Sequence, residues 1–152
     1  MSKRHTLFAG MIAGIFLLLT LMACSTGRQF DFLESKLPKL PPNEGRIYFY
    51  RLDTTIGWQN EPDILLNGEK VGRSVTGEFF YVDVKRGNYE VTCAGSSEKP
   101  VTFSLERGEV VYIRTGYDVF KSKVYAKKVR AHWARDEMQE LKYPKNLYEK
   151  MK

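Results

Sequence analysis

Apolar residues fall into two regimes along this chain. From Leu7 to Met22 they form a run of 16 residues, interrupted only by glycines and one threonine and carrying no charge. Beyond Arg46 they come in short bursts at a period near two, separated by Gly-bearing turns, the signature of half-buried strands. Ile47-Tyr48-Phe49-Tyr50 predicts a strand, being aromatic and β-branched. Asp63–Leu66 and Glu69–Val71 flank Asn67-Gly68 and predict a hairpin. Phe79–Val84, Tyr89–Cys93, Val101–Leu105, Val110–Thr115 and Val124–Val129 complete the set. Ile64, Leu66, Val91, Phe103, Leu105 and Ile113 take the inward phase. Tyr48 and Tyr50 share one strand face, and Phe79, Phe80 and Tyr81 place aromatic rings on both faces of another. Two readings of those rings are open: both faces buried, or one left exposed as a Tyr/Trp surface for a glycan or protein. Ala134, Met138 and Leu141 fall at helical spacing and predict a helix over His132–Leu141, ended by Tyr143-Pro144. The expected architecture is all-β: a compact antiparallel β-sandwich of seven or eight strands with a C-terminal helix.

The run at the N-terminus has the layout of a secretory signal. Lys3 and Arg4 precede it, and a small residue stands at its end. It falls short of the roughly 20 residues that span hydrocarbon. Its last residues, Leu21-Met22-Ala23-Cys24, resemble the bacterial lipobox. That resemblance implies a diacylglyceryl group on the Cys24 thiol and cleavage between Ala23 and Cys24. The alternative is an uncleaved membrane helix with an incidental cysteine. Ser25, where an aspartate would resemble an inner-membrane retention signal, implies outer-membrane sorting facing the periplasm if the source has two membranes. The expected organisation is a signal peptide over 1–23, a lipidated N-terminus and tether over 24–45, a sandwich over 46–129, and a helix with a basic tail over 130–152. Pro38, Pro41 and Pro42 break the tether, and Phe30, Leu33 and Leu37 suggest a short amphipathic turn in it, packed on the domain or on the membrane.

Several segments in order resemble a lipoprotein-rich bacterial family, domain of unknown function 2846. They are Gly45–Arg51, Ile64–Gly68, Val71-Gly72, Gly77–Phe79, Tyr81–Val84 and Gly87–Val91. The segment from Ile64 to Leu105 is also similar to PEGA-type surface domains, with Val84–Gly87 standing where their tetrapeptide would be. Both resemblances imply a small β-sandwich, and neither implies an activity.

Charge changes the picture in one place. Residues 24–115 carry 12 basic and 13 acidic side chains, whereas residues 116–152 carry 10 and 5. Lys121, Lys123, Lys127 and Lys128 are therefore candidates for an anionic surface, either lipid headgroups, a wall polymer or an acidic partner. The alternatives are a solvated tail or lysines guarding a sheet edge. The predicted location excludes nucleic acid.

Candidate chemistry is sparse. His132 is the one histidine after the signal, and Cys93 the one cysteine besides Cys24. With Cys24 lipidated, Cys93 has no partner for an intramolecular disulfide. It reads as a small core residue or, alternatively, a reactive thiol. No triad, metal-ligand spacing or phosphate loop is legible, so no catalytic residue, metal or cofactor is expected. Asp136-Glu137 reads as ordinary helix-face charge. Three functions stay open: a non-catalytic envelope binding protein, an accessory or enzyme acting on cell wall or lipid, and a purely structural lipoprotein. A cleft gathering His132 or Cys93 with carboxylates would favour the second.

Overall fold

Residues 29–144 are described by the computed structural model. They form helix α1 (Gln29–Glu34), eight strands and helix α2 (Ala131–Met138). The strands are β1 (Glu44–Arg51), β2 (Asp63–Leu66), β3 (Glu69–Arg73), β4 (Phe79–Lys85), β5 (Gly87–Cys93), β6 (Val101–Leu105), β7 (Val110–Asp118) and β8 (Lys123–Val129). They make two four-stranded sheets, ordered β4-β1-β7-β8 and β3-β2-β5-β6. The sandwich is as expected, and so are the turns that build it. Asn67 and Gly68 both take positive φ, 51° and 84°, the backbone that a two-residue hairpin needs.

One pairing departs from the antiparallel expectation. β1 and β7 run parallel, with Tyr48 opposite Tyr112 and Tyr50 opposite Arg114. Parallel neighbours need a long crossover, usually a helix. Here the chain between them builds the whole second sheet, a connection that strand-by-strand patterning does not reveal.

The sheets enclose Ile47, Phe49, Ile64, Leu66, Phe80, Val91, Leu105, Val111 and Ile113. At Gly72 the sheets approach so closely that a Cβ would lie 2.4 Å from the Phe80 ring. Five of the six expected core residues are buried. Phe103 is only half-buried, because β6 is an edge strand and the Lys128 ammonium, on the edge strand β8 of the other sheet, lies over its ring at 5.3 Å.

A second cluster lies outside the sandwich. The outer face of β1, β4 and β7 presents Tyr48, Tyr50, Phe79 and Tyr112, and it is covered by Phe30 of α1, by Ala134 and Met138 of α2, and by Leu37 and Leu141 just after each helix. Both faces of β1 are therefore buried, which explains its unbroken apolar run IYFY. The aromatic rings form packing, not an exposed surface: Phe30 meets Tyr48 and Phe79 edge-on at 5.4 and 5.2 Å, and Tyr48 stacks on Tyr112 at 5.3 Å. The segment read as a tether is thus seated on the domain from Phe30 onward. Among the described residues no helix is long and apolar enough to cross a membrane.

Candidate functional site

Sequence reasoning missed three polar clusters that fix the sheet, the two helices and the segment after α1 against one another. Arg46, buried within β1, donates to both oxygens of Asp83 at 2.7 and 2.8 Å and to the carbonyl of Pro38 at 2.9 Å. Its guanidinium lies over the Tyr81 ring at 4.1 Å. Glu137 of α2 accepts from Tyr50 Oη at 2.6 Å and pairs with Arg114. It is no ordinary helix-face charge, since α2 lies with that face on the sheet. Burial, reinforced by Glu137, holds the Tyr50 phenol far above its usual range, so it acts as a donor. Arg135 bridges the two helices, donating to Asp31 at 2.9 Å and to Glu34 at 2.6 Å, with its plane 5.2 Å from the Phe30 ring. The only sequence signal for these was charge at strand positions among aromatics, as at Arg46 and Asp83.

The residues singled out for chemistry lie apart. Cys93 on β5 is buried, with Sγ 3.9 Å from the carbonyl of Tyr125 on β8. Burial pushes its thiol up to about 11, although the Arg51 charge opposes this, so it carries little thiolate near neutrality. His132 is exposed on α2, its ring 4.7 Å from that of Trp133. Among the described residues no group of three or more His, Cys, Asp and Glu side chains is placed to hold a metal ion. Ala23 and Cys24 lie outside the described residues, as do the signal over 1–23 and the tail beyond Pro144.

The four candidate lysines are not on one face. β8 is the sheet edge, and Lys123 and Lys127 oppose Asp118 and Arg114, whereas Lys128 opposes Ile113. Strand alternation puts Lys123 and Lys127 on the outer side and Lys128 on the rim of the sandwich. Lys121, in the turn before β8, lies 3.8 Å from Glu98 and 3.9 Å from Asp118, and Lys123 lies 4.0 Å from Glu98. The local positive field is therefore partly cancelled.

What the fold does bring together is a group of loops at one end. β1 and β7 are parallel, so both finish there. Residues 52–62 follow β1, residues 119–122 follow β7, and residues 94–100 join β5 to β6. Between them lies an open hollow of about 650 Å³, lined in part by Asn60, Glu61, Ser97, Tyr117, Lys121 and Lys123. Arg51, buried at the end of β1, grips the first loop from inside. It donates to the carbonyls of Gly57 at 2.7 Å, Asn60, and Ser74 at 3.0 Å. Beside it Ser74 and Thr115 share a buried hydroxyl contact of 2.7 Å. Gly57, with φ of 71°, lies so close to Tyr117 that a Cβ would come within 2.6 Å of its side chain, so the first loop rests on the end of β7. The tips expose Ile56, Trp58, Val119 and Phe120.

No curated protein and no solved structure matches this chain. Residues 41–128 match the family described as Protein of unknown function (DUF2846), a span running from the residues before β1 into β8 and leaving out both helices. That span exceeds half the chain and carries both sheets of the sandwich, so the protein belongs to the DUF2846 family.

Proposed function

We propose that this protein is a lipid-anchored lipoprotein of the cell envelope whose β-sandwich binds an envelope protein or anionic polymer, or braces the envelope, without catalysing a reaction. The observation that carries the reading is Leu21-Met22-Ala23-Cys24 at the end of an uncharged, signal-length run that begins behind Lys3 and Arg4. Acyl chains on Cys24 hold the domain at the membrane, and more than one chain is needed for stable anchoring. Ser25 favours the outer membrane, facing the periplasm, in a cell with two membranes. Two further features support a non-catalytic role. Cys93 and His132, the side chains best suited to nucleophilic or general-base work, lie on different elements, one buried and one exposed. The charge clusters around Arg46, Glu137 and Arg135 are engaged in internal pairs, within the sheet, between helix and sheet, and between the two helices.

The test is Cys24→Ser in the native host, followed by intact mass and fatty-acid labelling. The expected product is an unlabelled precursor that keeps residues 1–23. Recovery of the variant as a chain beginning at residue 24 would refute the lipoprotein assignment.

A further inference from the structure

The contacts of α1 set the end of the sandwich toward which its N-terminus points. Phe30, its second residue, rests on Phe79, which pairs with Tyr50 near the finish of β1. Pro38, after the helix, is reached by Arg46 near the start of β1. α1 therefore runs against β1, and its N-terminus points toward the end where β1 and β7 finish. Cys24 lies five residues before Gln29. Five residues reach at most about 16–18 Å. From Arg114, level with Tyr50, to Asp118 at the end of β7 is about 13 Å along the strand. The lipid site can thus lie level with the loop tips, the end toward which the N-terminus of α1 points.

Those tips have the composition of a membrane-interface contact. Trp58 is 58% exposed, Ile56 56%, Val119 50%, and Phe120 wholly so at 102%. They stand on two loops, of which the first rests through Gly57 on Tyr117 at the end of β7 and is held from within by Arg51. Tryptophan and phenylalanine on a fixed projection favour the headgroup layer, where an apolar ring is covered without a matching protein pocket. The lysines at this end face Glu98 and Asp118, so contact does not depend on a bare positive field.

We propose that Ile56, Trp58, Val119 and Phe120 form a membrane-docking end that seats in the interfacial layer of the bilayer to which Cys24 is anchored. The inference rests on the lipoprotein assignment and adds an orientation to it: the sandwich stands end-on, with the β2–β3 turn and the start of α2 directed away from the lipid.

The chain has two tryptophans, Trp58 and Trp133, and the second lies on α2 just after β8 ends opposite Tyr112, toward the far end. Each can report separately. The Trp133→Phe and Trp58→Phe proteins, purified with their lipid from membranes and confirmed by mass, are reconstituted into phosphatidylcholine vesicles brominated on the acyl chains near the headgroup. Bromine quenching of Trp58 should exceed that of Trp133 by about threefold or more, with little change on adding salt or anionic lipid. Equal quenching on a chain whose mass includes the lipid overturns the docking and leaves the anchor standing. Shielding of Trp58 from aqueous iodide without bromine quenching also overturns it, in favour of a protein occupant such as a second copy. A chain recovered from membranes without lipid on Cys24 refutes the anchor reading itself.

Discussion

Phe30→Ala tests whether α1 is part of the domain or merely the end of a tether. The ring is fully buried, with edge-on contacts to Tyr48 and Phe79 and the Arg135 guanidinium across it. Truncating a buried phenylalanine costs about 3–5 kcal/mol, a figure that already includes much of the 0.5–1.5 kcal/mol of each aromatic contact. A ceiling applies, because the helix can undock instead. Once the loss exceeds the docking free energy of α1, the rest of the sandwich survives and the outer aromatic face is left open. A drop of about 2–4 kcal/mol in unfolding free energy is therefore expected, against a total of about 5–15 kcal/mol for a domain this size. Arg135→Met gives the contrast. Its ion pairs to Asp31 and Glu34 are about one-third exposed, so their loss should cost no more than about 1 kcal/mol. Urea titrations followed by circular dichroism measure both, and trypsin cleavage after Lys36 and Lys39 reports local undocking. A Phe30→Ala cost below about 1 kcal/mol, or one equal to that of Arg135→Met, would refute the claim that apolar packing holds α1.

Two further outcomes test the interior. Leu105→Ala, at a residue 1% exposed and packed against Gly45, should cost about 2–4 kcal/mol, whereas exposed Thr102→Ala on the same strand should stay within about 0.5 kcal/mol; similar losses would mean the phase of β6 is wrong. At pH 7 iodoacetamide should modify Cys93, followed by peptide mass, at least about a hundredfold more slowly in the folded protein than in urea. Above pH 9 the unfolded chain releases this proton while the folded chain holds it until about 11, so this thiol's contribution should lower stability as pH rises between those values and change nothing below them. Equal labelling rates in the two states would sink the buried-thiol assignment.

Local pattern was sufficient for the strands and for one sheet-building turn. Alternation along Val101–Leu105, the Asn67-Gly68 pair and the unbroken Ile47–Tyr50 run each encode a backbone preference that needs no distant partner. The family resemblance was legible for the same reason, since its segments are those strands and turns. The anchor reading also comes from sequence, because a charged start, an apolar run and a cysteine behind a small residue are features of linear order.

Tertiary structure decided what those local preferences could not. Whether Tyr48 and Tyr50 face solvent depended on two helices more than 80 residues apart in sequence coming to cover them. Glu137 was indistinguishable from surface charge until α2 brought it to Tyr50 and Arg114. The parallel pairing of β1 and β7 has no local signal, because each strand's alternation is the same whichever way its neighbour runs. That pairing brings the ends of β1 and β7 together, and with them the loops carrying Trp58 and Phe120. The four lysines read as one patch in sequence, yet successive side chains of a strand point to opposite faces, so Lys127 and Lys128 could never share one. Sequence determined the strands and alone carries the anchor reading, and non-local packing decided which side chains were left at the surface.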